Sequence, residues 1–189
     1  MKINTEELLS DLTRRTNEHI REVENFKNLS VEHQNYRTSP ISWSILECIE
    51  HLNLFGNYYL PEIEKRITNN TTTPDDIFNS GVIGDYFAKM MLPREKLNKM
   101  RTFKDKNPLG SELDKQVLQR FIDQQKKMLE LLKSSEKVSL NRIEISLSLT
   151  KFLKLKLGDT FRVVIYHNER HIQQAKKVQN SFQKTQTAA

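Results

Sequence analysis

An all-helical domain is what this 189-residue chain predicts, on three observations. Only five glycines and five prolines punctuate it, whereas Leu, Lys, Glu and Gln, which lose little on entering a helix, are abundant. Four stretches repeat their apolar residues at the three-to-four spacing of an amphipathic helix. The connection between the second and third of these, residues 68–110, is far longer than a helix–helix turn. It is long enough to cross a bundle and let the two helices it joins run parallel.

The first helix is expected over 5–27, with Asn4 as its N-cap. Leu8, Leu12, Val23 and Phe26 form one stripe, and Thr16 and His19 fill the places between them. The second begins at Ser44, which has capping-box spacing to Glu47, and Trp43 before it can staple onto Cys48. Its core side is Ile45, Ile49, Leu52 and Ile63, and Pro61 should kink it or end its regular part. Within the long crossover a short helix is expected near 85–92. The third long helix is predicted over 112–133, with Leu113, Val117, Phe121, Met128 and Leu132 inward. "RIEISLSL" then alternates like a strand; with no second clear strand it reads as an extended segment on the bundle, or as half of a hairpin with part of the crossover. The fourth helix opens after "LGDT", where Asp159 or Thr160 can cap, and runs to 182. Its stripe is Val164, His167, His171, Ala175 and Val178. Residues 1–182 therefore form one domain, and 183–189 a frayed tail.

Composition narrows the function classes. No apolar leader and no long apolar run is present, so neither a secretory signal nor a membrane span is expected. A single cysteine, Cys48, rules out an internal disulfide framework and suits the cytoplasm. The formal charge of +6 is spread among acids, as in "REKLNKMRTFKDK", rather than gathered with stacking aromatics, so no specific nucleic-acid site is expected.

The chemistry is carried by histidines. His167 and His171 in "HNERH" are four apart, neighbours on one helix face with about 5–6 Å between their Cβ atoms. The pair fits neither protease pattern: a zincin needs Glu where Asn168 stands, and an inverted zincin needs Glu where Arg170 stands. Glu169 is two residues from each histidine, about 200° around the helix, and cannot serve the same site. The third candidate is His51 in "WSILECIEH", beside the apolar stripe of the second helix with Cys48 and Phe55 above and below. Burying three imidazoles without partners would cost several kcal/mol, whereas one cation satisfies all three. His33, in a polar loop, reads as surface; Tyr58, Tyr59 and Cys48 read as core packing.

Pro40-x-x-Trp43-Ser44-x-x-Glu47-x-x-x-His51-Leu52 resembles the second-helix signature of the DinB/YfiT-like superfamily, and His167-x-x-Arg170-His171-x-x-Gln174 its fourth-helix signature. "LKLGDTFRVVIYH" resembles that family's approach to its last helix. The specific motifs occupy these regions; helix order and spacing extend the resemblance over the whole chain. It implies a four-helix bundle in up-down-down-up order with the long crossover between its second and third helices. It also implies a divalent metal, nickel or zinc, on His51, His167 and His171, and a homodimer. Relatives with assigned reactions include transferases and isomerases that use a low-molecular-weight thiol.

Two chemistries suit such a site: attack by a thiol on a small-molecule electrophile, which the resemblance favours, or hydrolysis by a metal-bound water. A scaffold with a structural metal is the non-catalytic alternative. Among neighbours, Glu47 can accept the second ring N–H of His51, and Gln174 can orient His171 or substrate. Arg170 is expected to pair with a carboxylate between helices, and His19 to line the cavity.

Overall fold

Local capping sets the first element. In the computed structural model, which describes residues 1–93, 102–148 and 150–187, Asn4 accepts the Glu7 N–H at 3.1 Å and opens α1, Thr5–Lys27. Before it, β1 (Lys2–Asn4) pairs antiparallel with β2 (Ile77–Asn79) of the crossover. After it come the short α2 (Val31–Asn35) and α3 (Ile45–Thr68), whose Ser44–Glu47 capping box is complete in both directions. Pro61 does not end α3: the helix runs through it to Thr68. The proline removes one hydrogen bond, a cost of about 3 kcal/mol that burial of Ile63 and Ile67 beyond it offsets.

The crossover carries α4, Val82–Met91, and a 3₁₀ turn, Lys104–Lys106. The short helix thus starts earlier than its predicted span; the crossover's residues 94–101 lie outside the described residues. The third long helix, α5, spans Gln116–Ser135, beginning after its expected start at 112. Asp114 holds the entry, its carboxylate accepting the Gln116 N–H at 2.8 Å, a side-chain bond that competes with helix.

"RIEISLSL" is half of a hairpin, and its partner is the next stretch rather than the crossover. β3 (Glu144–Leu147) pairs antiparallel with β4 (Thr150–Lys156), with an irregularity between Ser146 and Leu147. β4 passes directly into α6, Leu157–Thr187, which extends past its expected end at 182. The cap expected of Asp159 or Thr160 is not used. The first amides of α6 are met from the chain before β3, Leu157 N–H by the Ile143 carbonyl at 2.8 Å and Gly158 N–H by that of Leu140 at 3.3 Å. Asp159, inside the first turn, instead accepts the Gly81 N–H at 2.8 Å and so caps α4. It also bonds Ser80 and pairs with Arg162 at 3.0 Å. Gly158 has no room for a side chain, because an added Cβ would enter the ring of fully buried Phe78. Gly158→Ala should lower stability by about 1–3 kcal/mol, read as a shift in the urea midpoint.

The molecule is mostly helical, as its composition predicts. α1 and α3 each pack against α5 and α6, and α4 lies on α6. Ion pairs join α1 to α6 (Arg15–Glu169, 2.5 Å; Glu22–Lys176, 2.8 Å) and α3 to α5 (Glu50–Arg120; Glu64–Lys127, 2.6 Å). The apolar interior falls into two clusters. One holds Leu8, Leu12, Ile63, Met128 and Phe161; the other holds Val23, Phe26, Ile49, Leu118, Phe121 and Ala175. Where the long helices pass from one to the other, buried polar side chains intervene: Thr16 and His19 on α1, Asn53 on α3, Gln125 on α5 and Asn168 on α6. Asn168 donates to Gln125 across the interior at 3.0 Å.

Candidate metal centre

His51 comes from the buried face of α3, and His167 and His171 from that of α6, one turn apart. The amphipathic periodicity that buries Ile49 and Leu52 on α3, and Val164 and Ala175 on α6, carries the three rings inward with it. One ring nitrogen from each lies within 4.8 Å of the other two. The Nε2 atoms of His51 and His167 are 3.2 Å apart, and the ring centroids lie 4.6–5.0 Å from one another. Nitrogens about 2.0–2.1 Å from a tetrahedral ion are a little over 3 Å apart, so the His51–His167 spacing is that of two ligands of one divalent metal.

The outer nitrogens decide which lone pairs face inward. His51 Nδ1 lies 2.6 Å from the Lys106 carbonyl oxygen. A carbonyl only accepts, so Nδ1 carries the proton and Nε2 of the neutral ring is bare. His171 Nδ1 lies 3.0 Å from Gln174 Oε1, which fixes the same tautomer and leaves its Nε2 for the cluster. Burial pushes the three imidazoles down, His51 to about 4, His171 to about 3, and His167 well below the ordinary value. Neighbouring ring charge and the Arg170 guanidinium push His167 and His171 the same way. All three rings are neutral at neutral pH, the form that binds a metal.

The surroundings partly revise the expected partners. Gln174 lies on the outer nitrogen of His171. Arg170 is buried beside the pair, 5 % exposed. Glu47 does not reach His51: its carboxylate accepts two bonds from Arg37 at 2.7 and 2.9 Å and the amides of Ser44 and Gly110 at 2.8 and 2.6 Å. The Lys106 carbonyl takes the place foreseen for it. Glu169 is turned away onto Arg15, as its position on the helix requires.

His19 is buried but stands outside the three-histidine group, in the polar layer of the interior, and its Nδ1 has no hydrogen-bond partner among the described residues. Burial, with help from the Arg15 charge, lowers it to about 3. An unfolded histidine titrates near 6.5, so below that pH the unfolded chain binds a proton that native His19 refuses. Stability is therefore lost as pH falls from about 6.5 towards 3, by up to about 1.4 kcal/mol per pH unit for one such ring. Urea melts at pH 7 and pH 5 should show His19→Gln losing less stability between the two than the parent protein.

His33 is a correction to the surface reading. It is 5 % exposed, stacks on Phe182 with centroids 4.1 Å apart, and has Nε2 3.2 Å from the Gln179 carbonyl. The apolar partner that covers it lies at the far end of the chain. Cys48 is fully buried and its thiol is pushed far up by burial, so it packs rather than reacts. Sequence reasoning missed Lys106, whose contribution is a backbone carbonyl with no side-chain signature, and it placed Trp43 only as a staple. The indole lies against the site, its ring centroid 4.7 Å from His51 and 5.5 Å from His171. Phe55 lies 4.6 Å from His167 and 5.0 Å from His51.

No described helix is long and apolar enough to cross a membrane. None of the curated proteins and none of the solved structures matches the chain significantly. The family model of the DinB superfamily matches residues 9–175, a span that includes all three histidines. With most of its length matched by that model, the chain belongs to the DinB superfamily.

Proposed function

We propose that this protein is a metal-dependent enzyme that transfers a low-molecular-weight thiol onto a small-molecule electrophile, with nickel or zinc on His51, His167 and His171. The observation that carries the reading is the closure of three neutral, inward-facing imidazoles to within 4.8 Å. A divalent ion held by three neutral ligands keeps its full charge and an open position, and supplies Lewis acidity to whatever binds there. The chain's own part is to hold and exclude. The Lys106 carbonyl and Gln174 keep protons on the outer nitrogens of His51 and His171. Trp43 and Phe55 wall the rings with apolar surface, which favours an organic sulfur compound over water.

Glu47, the nearest carboxylate that sequence offered as a partner, is occupied by four donors and is not free to act as a base. This supports a nucleophile that ionises readily, a thiol, over a water that needs a protein base. In the reaction the thiol sulfur forms a bond to the electrophilic carbon, the leaving group departs with its electron pair, and the thiol proton passes to solvent. Incubating metal-loaded protein with physiological thiols and a haloaromatic should give metal-dependent thioether. Hydrolysis without thioether would favour the hydrolase reading, and no turnover at all a structural metal.

The same reading takes the four long helices α1, α3, α5 and α6 as an up-down-down-up bundle. Its support is the pattern of ion pairs, in which residue numbers rise together between α1 and α6 and between α3 and α5. The family resemblance supports a homodimer, which light scattering of the purified chain checks.

A further inference from the structure

Three side chains at the start of α3 recur every fourth residue, Trp43, Glu47 and His51, and one short stretch of the crossover holds all of them. The Lys106 carbonyl accepts from His51 Nδ1–H at 2.6 Å. Asn107 Oδ1 accepts from the Trp43 indole N–H at 3.0 Å. Gly110 donates its N–H to Glu47 at 2.6 Å, with the chain turned through a positive φ of 80° that suits glycine. Asn107 Oδ1 also accepts the Leu109 amide at 3.2 Å, an Asx-type bond that fixes the turn through Pro108. The adjacent residues 106 and 107 thus grip two rings, His51 and Trp43, that already touch.

A free neutral imidazole exchanges its proton between two nitrogens, and only the form with the proton on Nδ1 leaves His51 Nε2 bare towards His167. That form is selected by a single backbone carbonyl, whose place depends on the turn in which it sits. Within this turn, the Asn107 side chain is tied both to the loop's own backbone and to a ring packed on the site. We propose that Asn107 is a positioning residue of the metal centre. By shaping the 106–110 turn and anchoring Trp43, it keeps the Lys106 carbonyl on His51 and so presents the His51 Nε2 lone pair to the ion. The proposal deepens the metal reading and rests on it only for the second of its two tests.

The variants are Asn107→Leu, which keeps bulk and loses the acceptor, and Asn107→Asp, which restores it. In the metal-free full chain, NMR of isotope-labelled imidazoles should find His51 protonated at Nδ1 in the parent and in Asn107→Asp, and a mixture of tautomers in Asn107→Leu. In the second test, nickel affinity is measured by chelator competition and by quenching of Trp43, the chain's single tryptophan. Asn107→Leu should bind nickel about 10–100-fold more weakly, the usual loss for an outer partner of a ligand, and Asn107→Asp should bind close to the parent.

An Asn107→Leu protein with the parent's tautomer and nickel affinity would overturn the proposal. So would loss in both variants alike, which would mark a packing role only. If Asn107→Leu does not fold by circular dichroism, Trp43→Phe replaces it, since it keeps a ring and loses the N–H, with nickel affinity read by chelator competition alone; parental behaviour there overturns the proposal equally. If the parent protein takes up no nickel, or His167→Ala binds it unchanged, the ligand assignment fails while the tautomer measurement still decides the role of Asn107.

Discussion

Nickel or zinc at a hundredfold excess over its dissociation constant should raise the unfolding temperature of the metal-free protein by about 5–10 °C, and His167→Ala should abolish the rise. A ligand that binds only the folded chain adds about 2.7 kcal/mol at that excess. For a chain of this size each kcal/mol is worth roughly 2–4 °C. The ion can bind only the folded chain as a three-ligand site, because His51 is more than a hundred residues from the other two. His167 is the decisive substitution, since its Nε2 already lies 3.2 Å from that of His51. Elemental analysis should follow the melting data, with about one metal per chain in the parent and almost none in the variant. A parent protein with no metal after supplementation, and no thermal shift, would refute the assignment of the site. The shift with metal, rather than the absolute melting temperature, is the quantity to compare, because His167→Ala also removes a buried ring.

The largest effect away from the site is expected at Arg162. This residue is 2 % exposed, with its guanidinium on Asp159 at 3.0 Å, Asp85 at 2.9 Å and the Ser80 hydroxyl at 2.9 Å. Asp159 is itself fully buried, and its side chain lies where a Cβ on Gly84 would fall, so α4 docks directly on this carboxylate. Arg162→Met leaves Asp159 buried without its countercharge, a change that costs about 3–5 kcal/mol. The double variant Arg162→Met, Asp159→Asn removes both charges and should recover a large part of that loss. Urea unfolding of the two single variants and the double variant gives the coupling between them. A loss below about 1 kcal/mol in Arg162→Met would mean that solvent, the Ser80 hydroxyl and the Gly81 amide suffice to hold the carboxylate.

What sequence revealed is mostly what neighbours in sequence determine. Asn4, Ser44 and Glu47 were legible because a cap and its amide are three residues apart. The buried stripes were legible because their period is that of the helix itself. The hairpin partner of β3 was obscured because the alternation of Leu153 and Leu155 runs without a break into Leu157, the first residue of a helix. Asp159 was misassigned because position alone suggested a cap on its own helix, whereas the amide it serves belongs to Gly81. His33 is buried by Phe182, a partner that no local pattern can name. At the site, the i, i+4 pair was visible in the residues. The apolar stripe of the second helix offered His51, and the family resemblance joined it to the pair; Gln174 lies on His171. Glu47 had the right spacing for His51 but was already committed to Arg37 and two amides, a competition that appears only when the loop and the helix are brought together.

In the polar layer that divides the interior, neighbouring helices meet through groups that water can bond. Separating two apolar surfaces exposes oil to water, but separating Gln125 from Asn168, or uncovering His19, exposes groups that water can bond at once. The continuous helices α1, α3, α5 and α6 cross this layer, and each contributes to both clusters. His51 and His167 lie in this layer, on α3 and α6, two helices that pack on one another. On the metal reading proposed above, an ion there would cross-link α3 to α6 at the level where their packing is polar, so loading the site would raise the cost of parting these two helices.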